Sequence, residues 1–257
     1  MLLNMCNFAL VMRKKQFIII AVLLIGNMCN VQAQKNDSIS NVRTQNDVEF
    51  HLDADFVSSY IWRGFKLGTV SLQPELSVSW KGLSLSAWGS VGLSNKDDPS
   101  EIDLTLSYET GGLTFGVLDY WNDEDDKRYF YYKKDHSNHV FEGFVEYDFG
   151  PVAASWQTIF AGNDYRESDG KHEYSSYLEV SAPFIFATCD WDVAVGIVPW
   201  KTEYYDTSGF SVTTLSLRAT KTLLITKKFA LPLFGELIAN PARQDLFFVF
   251  GLTLKSL

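Results

Sequence analysis

The sequence predicts an all-β fold, a transmembrane antiparallel up-and-down β-barrel of about twelve strands behind an N-terminal signal peptide. Three observations predict it: apolar and polar residues alternate from Val48 to Leu254, an export signal comes first, and short and long connections alternate. Successive side chains of a strand point to opposite faces, so the alternation separates an apolar face from a charged one. In lipid, only helices and closed barrels satisfy every backbone polar group.

The N-terminus carries the features of a secretory signal peptide. Arg13, Lys14 and Lys15 form its positive region, residues 17–25 its apolar core, and Val31-Gln32-Ala33 its small-residue cleavage site. The apolar core is shorter than the roughly 20 residues that a membrane-spanning helix needs. We therefore expect this segment to direct export and then to be removed.

These features divide the chain into three predicted parts. Residues 1–33 are the signal peptide, residues 34–46 a flexible periplasmic arm, and residues 47–257 a barrel in the cell outer membrane. Met12 fits the start of the signal better than Met1, which makes the preceding residues a gene-model extension or a long positive region.

Charge and cysteine content exclude two further readings of the mature chain. The full chain has 22 Lys and Arg against 31 Asp and Glu, and residues 1–33 contain three of the basic residues and none of the acidic ones, which leaves a net charge of −12 after cleavage. Such a charge disfavours nucleic acid as a partner. Only Cys189 survives cleavage, so no intramolecular disulfide can form.

Twelve segments of strand periodicity follow the arm, an even number as in bacterial single-chain barrels. Strand boundaries predicted in this way shift by about two to four residues, so ten or fourteen strands stay open. The predicted strands are 47–63, 69–80, 83–93, 101–110, 113–121, 139–149, 152–161, 173–182, 188–199, 209–225, 229–239 and 245–255.

The connections between these strands are of two alternating kinds. Short links suited to hairpin turns are Lys81-Gly82, Gly111-Gly112, Gly150-Pro151 and Lys227-Lys228. Longer polar stretches are Ser94–Ser100, Asp119–Asn138, Gly162–His172 and Lys201–Ser208. Outer-membrane barrels have short periplasmic turns and longer outer loops, so both termini should be periplasmic. Two links fit less well, an apolar one at Pro183–Thr188 and a short outer one at Gly64–Gly68.

Aromatic residues at strand ends are predicted to lie at the membrane interfaces. They are Tyr60, Trp62, Trp80, Trp121, Tyr147 and Phe149. The alternative is that they are ordinary core residues of a soluble β-protein. The last strand places Leu246, Phe248, Phe250, Leu252 and Leu254 on one face, a pattern that suits insertion by the barrel-assembly machinery.

Three stretches carry a family resemblance. The first runs from Asp55 to Gly64 as Asp-Phe-Val-Ser-Ser-Tyr-Ile-Trp-Arg-Gly, the second covers Gly82–Ser90, and the third is Glu101-Ile102-Asp103 with Tyr108 and Gly116 downstream. Together they resemble the Gcw_chp family of uncharacterised bacterial proteins. The resemblance covers about the first third of the mature chain, and it departs at Phe65-Lys66, where the family has Ser-Gln. It implies an outer-membrane barrel and no catalytic residues.

The charged face of the predicted strands contains the candidate functional residues, which should line the lumen. An open, water-filled lumen with this excess of carboxylates would prefer cations. Alternatively, the charges pair with one another in a plugged interior, because a twelve-stranded barrel is narrow and buried charges need partners. The predicted lumen residues are Glu49, Asp53, Asp55, Arg63, Glu75, Glu101, Asp103, Glu142, Glu146, Glu179, Asp192 and Arg218.

Catalytic and metal-binding patterns are weak in this sequence. The four histidines, His51, His136, His139 and His172, belong to no catalytic or metal-binding motif, and we expect no cofactor and no bound metal. Carboxylates in the loop Asp119–Asp126 raise a calcium hypothesis, yet they lack the spacing of a calcium loop, and a solvated outer loop is the simpler interpretation. The aromatic run Tyr129–Tyr132 either extends a strand or binds sugar rings.

The sequence therefore favours an outer-membrane barrel that acts as a narrow, cation-preferring pore for small solutes. A non-conducting structural or surface-binding barrel is the second hypothesis, and an outer-membrane enzyme is the third. The expected partners are outer-membrane lipid, the barrel-assembly machinery, and small solutes or ions.

Overall fold

The computed structural model describes residues 48–95, 97–123, 128–132, 137–226 and 229–255. Within these residues, twelve strands form a closed antiparallel barrel, as predicted, and two short strands pair only with each other. The predicted signal peptide and arm lie outside the described residues, and so does the turn predicted at Lys227-Lys228.

Each barrel strand pairs with the barrel strands before and after it along the chain, and the first barrel strand also pairs with the last, which closes the sheet. The barrel strands are β1 (Glu49–Val57), β4 (Ser71–Trp80), β5 (Leu83–Gly92), β6 (Glu101–Thr110), β7 (Leu113–Asn122), β8 (His139–Asp148), β9 (Ala153–Gly162), β10 (Ser176–Phe186), β11 (Cys189–Val198), β12 (Ser211–Thr226), β13 (Phe229–Asn240) and β14 (Asp245–Lys255). The remaining pair is β2 (Tyr60–Trp62) and β3 (Phe65–Gly68).

The outer surface of the barrel is apolar. On β14, the predicted outward residues Leu246 and Phe248 are 72% and 66% exposed, whereas Val249 on the opposite face is 4% exposed. On β6, Leu104 and Leu106 are exposed while Asp103 on the other face is buried. Large exposed apolar surfaces are uncommon on soluble monomers. Their regular placement on one face of successive strands gives the barrel a continuous apolar exterior.

The two ends of the barrel differ in the length of their connections. One end, which we call the turn end, is closed by the links 81–82, 111–112, 149–152 and 187–188. The other, the loop end, carries the connections 58–70, 93–100, 123–138, 163–175, 199–210 and 241–244. The alternation expected from the sequence is therefore present.

One predicted link turned out to be a tight turn. The segment Pro183–Thr188 was expected to be a periplasmic connection, but β10 continues to Phe186 and only Ala187 and Thr188 turn the chain. Both have positive φ, 49° and 61°, as a two-residue hairpin turn requires. Alanine and threonine rarely adopt this conformation, so the residue types at this position do not indicate a turn.

The first predicted strand, 47–63, is wrong in its second half. β1 ends at Val57, where its partner Ser71 begins β4, so residues 58–70 lie outside the paired barrel strands, and among the described residues only their ends, Ser58 and Val70, make backbone hydrogen bonds to the wall, at Phe250 and Leu93. Residues 58–70 form the hairpin β2–β3 instead, which we call the lumen hairpin because it lies inside the barrel. Tyr60 and Trp62 are therefore not interfacial residues, which corrects that prediction.

Another predicted interfacial residue is covered. Trp121 faces outward near the loop end, but it is buried under Tyr129, with ring centroids 5.4 Å apart. Tyr129 and Tyr132 lie against the outer wall at this point, on Trp121 and His139. Trp80, Tyr147 and Phe149 lie exposed at the turn end.

A charged substitution on the exterior tests the face assignment. Leu106 lies in the middle of β6 and is exposed, so Leu106→Arg should cost about 2–4 kcal/mol of folding free energy if this surface meets lipid. Gln73→Arg is the matched control, because Gln73 lines an acidic cavity inside the barrel. Urea unfolding in lipid vesicles measures both, and equal losses would contradict a lipid-facing exterior.

Candidate functional site in the barrel lumen

Most of the predicted lumen residues lie on the inner face of the barrel strands, opposite the exposed apolar residues. Glu142 on β8 is fully buried, while its strand neighbours of the other parity, Val145 and Tyr147, are exposed. The residues with inner parity are Glu49, Asp53, Asp55, Glu75, Glu101, Asp103, Glu142, Glu146, Glu179, Asp192 and Arg218. Arg63, the other candidate, lies on the lumen hairpin rather than on the barrel wall.

Arg63 stands at the tip of the lumen hairpin and is bound on several sides. Its two terminal nitrogens donate to the two carboxylate oxygens of Glu142, each at 2.7 Å. It also donates to the Tyr205 hydroxyl, and its guanidinium lies 4.4 Å from the Trp62 ring centroid and 4.7 Å from that of Tyr177. Planar, bidentate pairing of this kind is the strong form of a charged hydrogen bond.

Glu142 is equally well satisfied. Besides Arg63, it accepts a hydrogen bond from the Tyr120 hydroxyl on β7 at 2.6 Å. Its side chain is 0% exposed and that of Arg63 10% exposed, so the ion pair is withdrawn from water. Removing either partner would leave a buried charge without compensation, which is strongly destabilising.

Tyr205, in the loop 199–210, is an uncharged member of this cluster. Burial raises the pKa of its phenol well above the ordinary value, although the adjacent Arg63 opposes the rise. The hydroxyl is therefore protonated at neutral pH and accepts from Arg63 without adding charge. Its ring stacks on Trp62, with centroids 5.9 Å apart and planes 20° apart.

The turn of the lumen hairpin touches the opposite wall. Gly64 has φ of 83°, and its carbonyl oxygen accepts from Asn240 Nδ2 on β13 at 3.2 Å. A Cβ atom at Gly64 would come within 1.9 Å of the Thr213 carbonyl oxygen on β12. Only glycine fits this approach, because both the backbone conformation and the space exclude a side chain.

The base of the lumen hairpin is held by polar and apolar contacts at the loop end. The Thr69 backbone N–H donates to Asp98 Oδ2 at 2.8 Å, and Ser59 Oγ donates to the Gly68 carbonyl oxygen at 3.0 Å. Ile61 packs against a buried cluster made of Val57, Phe234, Ile238 and Val249. On the other side, the Tyr60 ring lies 5.5 Å from the Trp88 ring on β5.

These contacts reach strands all around the barrel. From Trp88 on β5 through Tyr120, Glu142 and Tyr177 to Asn240 on β13, the lumen hairpin meets the wall on several sides. A twelve-stranded barrel is narrow enough for one hairpin to occupy its cross-section. The lumen is therefore filled at the level of Arg63.

Elsewhere in the lumen lies a charged cavity of about 230 Å³. Three predicted carboxylates, Asp53, Asp55 and Glu75, face it together with two basic residues. Its full lining is Asp53, Asp55, Gln73, Glu75, Trp88, Arg218, Thr253 and Lys255. Arg218 also lies 3.7 Å from Glu236 and over the Phe234 ring, 3.6 Å from its centroid.

The sequence missed several of the residues that form this site. Glu236 and Lys255 have the inner parity of β13 and β14, so the same alternation would have found them. Tyr205 lies in a loop, where no periodicity indicates a side chain's direction. Its role follows only from the position of Arg63.

His139, the first residue of β8, is held by protein partners on both sides of its ring. His139 is 1% exposed on the outer side of the wall, with Nδ1 at 2.6 Å from Asp119 Oδ1 and Nε2 at 2.5 Å from the Tyr129 carbonyl oxygen. The Tyr132 ring stacks on it at 4.1 Å between centroids. Both ring nitrogens are thus occupied by protein partners, which gives His139 a structural role.

The described residues contain no group of three or more His, Cys, Asp or Glu side chains that could hold a metal ion. The calcium hypothesis for Asp119–Asp126 falls partly outside the described residues, since residues 124–127 are not among them. No helix in the described part of the chain is long and apolar enough to cross a membrane.

No protein-family model matches the chain, and no curated protein matches it. Among solved structures, it is similar to an outer membrane channel from Pseudomonas putida F1, with 13% identity, 86% of this chain and 99% of that chain covered, and a TM-score of 0.41. The NanC porin has 9% identity, coverages of 80% and 98%, and a TM-score of 0.41. OmpF of Salmonella typhi, in complex with daunomycin, has 9% identity, coverages of 82% and 98%, and a TM-score of 0.34. The strand pairing of this chain itself defines the fold as a closed barrel.

A small change at the hairpin turn should release the lumen hairpin. Gly64→Ala introduces a methyl group that collides with the Thr213 carbonyl oxygen, so the tip must leave its position and Arg63 must become accessible. Trypsin should then cleave after Arg63, with the product identified by mass spectrometry, while the wild type resists at that bond. Gly209→Ala is the control, because its new methyl group would meet nothing within 4 Å. Resistance of Gly64→Ala at Arg63 would contradict the tight seat described above.

Proposed function

We propose that this chain is an outer-membrane β-barrel that forms a narrow, cation-preferring channel for small solutes. In the present conformation the lumen hairpin closes this channel. The observation that carries the proposal is the reversal of ordinary protein polarity. The barrel exposes apolar side chains such as Phe248 and Phe250 on its exterior and turns carboxylates such as Asp53 and Asp55 inward. A closed barrel with this polarity is suited to a lipid exterior and a wet interior.

The excess of carboxylates supports the preference for cations. Asp53, Asp55 and Glu75 face one cavity, and only Arg218 and Lys255 oppose them there. Arg218 is also partly neutralised by Glu236, which leaves the cavity with an acidic balance. Acidic walls in a confined lumen raise the local concentration of cations and exclude anions.

A non-conducting barrel is the second candidate function. The lumen hairpin favours it, because the Arg63–Glu142 pair and its aromatic neighbours fill the lumen where the hairpin lies. On this hypothesis the charges serve structure, or the loop end binds a partner at the cell surface. An outer-membrane enzyme is the third candidate, and no cluster in the described residues argues for it above the other two.

The proposed outer-membrane location includes proposals about export, insertion and partners. Export by the signal peptide of residues 1–33, insertion by the barrel-assembly machinery, contact with outer-membrane lipid and the absence of a nucleic-acid partner are proposed together with it. The resemblance to the Gcw_chp family supports the same location. It centres on the stretch Asp55–Gly64, which contains the end of β1 and the tip of the lumen hairpin.

Neutralising two inner carboxylates should weaken cation preference. Asp53 and Asp55 are two residues apart on β1 and face the same cavity, so Asp53→Asn/Asp55→Asn removes two charges from one side of it. The reversal potential in a KCl gradient across a planar bilayer should move toward zero, while the barrel still folds. Asp97→Asn, in the loop 93–100, is the control and should leave the reversal potential unchanged. An unaltered reversal potential in the double variant would exclude this pair from ion selection.

Labelling of single cysteines tests the location and orientation in cells. In a Cys189→Ser background, cysteines at Asn122 or Asp169 near the loop end should react with an impermeant maleimide on intact cells. A cysteine at Gly150, in an exposed link at the turn end, should react only after the outer membrane is permeabilised. The reverse pattern would invert the orientation, and recovery of the protein in the soluble periplasm would contradict the membrane location.

A further inference from the structure

We propose that the lumen hairpin is a movable gate, and that the Arg63–Glu142 ion pair is the latch that holds it closed. The inference rests on the proposed channel function and adds a mechanism of regulation to it. The first support comes from the sheet. β1 and β4 pair with each other directly from Glu49–Ser79 to Val57–Ser71, and β2 and β3 pair only with each other, so the two hairpin strands contribute nothing to the barrel ladder. Among the described residues, backbone hydrogen bonds tie only the ends of the segment, Ser58 to Phe250 and Val70 to Leu93. The lumen hairpin can leave the lumen without breaking a hydrogen bond between barrel strands.

The second support is the polarity of the wall behind the hairpin tip. Arg63 and Gly64 lie against Glu142, the hydroxyl groups of Tyr205 and Thr214, and the amide of Asn240. Trp62 and Phe65, on either side of the turn, pack against Tyr177, Val198 and Tyr205. The polar groups of this wall can be hydrated when the tip moves away, because each of them can exchange its protein partner for water.

The base of the hairpin has contacts of its own with the wall and with the loop 93–100. Ile61 packs against the apolar cluster of Val57, Phe234, Ile238 and Val249, and Thr69 is tied to Asp98. These contacts fix the hairpin where it joins β1 and β4. The polar groups that hold the turn can exchange their partners for water while the contacts at the base remain, so the tip can swing while the base stays attached.

The third support is the energetics of the latch. A buried ion pair gains little over the same two ions in water, since desolvation offsets most of their attraction. The loss of one partner has a large effect, because the other charge is then buried alone and favours any state in which it meets water. Exchange of both partners for apolar residues of similar size removes the buried charges altogether and can be nearly neutral.

The latch therefore has a distinctive signature in single and double variants. Arg63→Met and Glu142→Leu should each raise the open fraction of single channels by roughly tenfold or more, as expected when one charge of a buried pair is stranded. The double variant should return the open fraction toward that of the wild type. Gly64→Ala displaces the tip with both charges intact and should also open the channel.

The experiment records single-channel currents in planar bilayers for these variants and for a hairpin-less barrel. In the last, residues 58–70 are replaced by Asn-Gly, a two-residue turn that can join Val57 to its partner Ser71. A difference in gel migration between unheated and boiled samples shows that each variant is folded. The hairpin-less barrel should conduct continuously and prefer cations.

Each result decides between the two levels of the proposal. Continuous conduction by the hairpin-less barrel, with Arg63→Met, Glu142→Leu and Gly64→Ala no more open than the wild type, would make the lumen hairpin a fixed plug and overturn the gate. A folded hairpin-less barrel that does not conduct would overturn the channel function itself. If the single charge variants do not fold, Gly64→Ala and the double variant still decide: an open Gly64→Ala channel and a closed double variant support the gate, and a closed Gly64→Ala channel refutes it.

Discussion

Closure of the hydrogen-bonded sheet is the constraint on which the rest of this structure depends. β1 is paired on one edge with β4 and on the other with β14, so no barrel strand in the described residues is left as an open edge. Closure divides every strand into an inner and an outer face, and it sets the lumen width through the number of strands. It also excludes residues 58–70 from the sheet, because β1 and β4 already satisfy each other. The lumen hairpin lies in the interior because its two strands have no partner strand in the wall.

An interior built of charged side chains must balance its charges locally. In this barrel the balance is achieved in two different ways. At Arg63 the charges are paired, hydrogen-bonded and dry, and aromatic rings of Trp62, Tyr177 and Tyr205 surround them. Around Asp53, Asp55 and Glu75 the charges face a cavity and do not cancel. The first arrangement suits closure of the proposed channel, and the second suits its preference for cations.

The sequence predicts the wall of this barrel much better than its contents. Strict alternation is a local property, so residues such as Leu246, Phe248 and Asp53 reveal their faces without any knowledge of partners. The predicted outer loop Gly64–Gly68 shows the limit. The stretch Tyr60-Ile61-Trp62 continues the alternation of β1, and nothing local distinguishes it from more wall. Only the position of Ser71 opposite Val57 ends the strand, and this pairing is a property of the folded sheet. Arg63 was predicted as a lumen residue because it continues the alternation of charged residues. Its partner Tyr205 lies in a loop, where no alternation indicates a face.

The position of the hairpin tip also bears on the order in which the molecule is built. Arg63 bonds to residues 79 and 142 positions downstream, and Gly64 bonds to one 176 positions downstream. Contacts of such long range form late, after the intervening chain has been organised. Until β8 and β13 stand in the wall, the tip has no seat, and its guanidinium remains hydrated. We therefore expect Arg63 to be buried late in folding, although it belongs to one of the first segments to be synthesised.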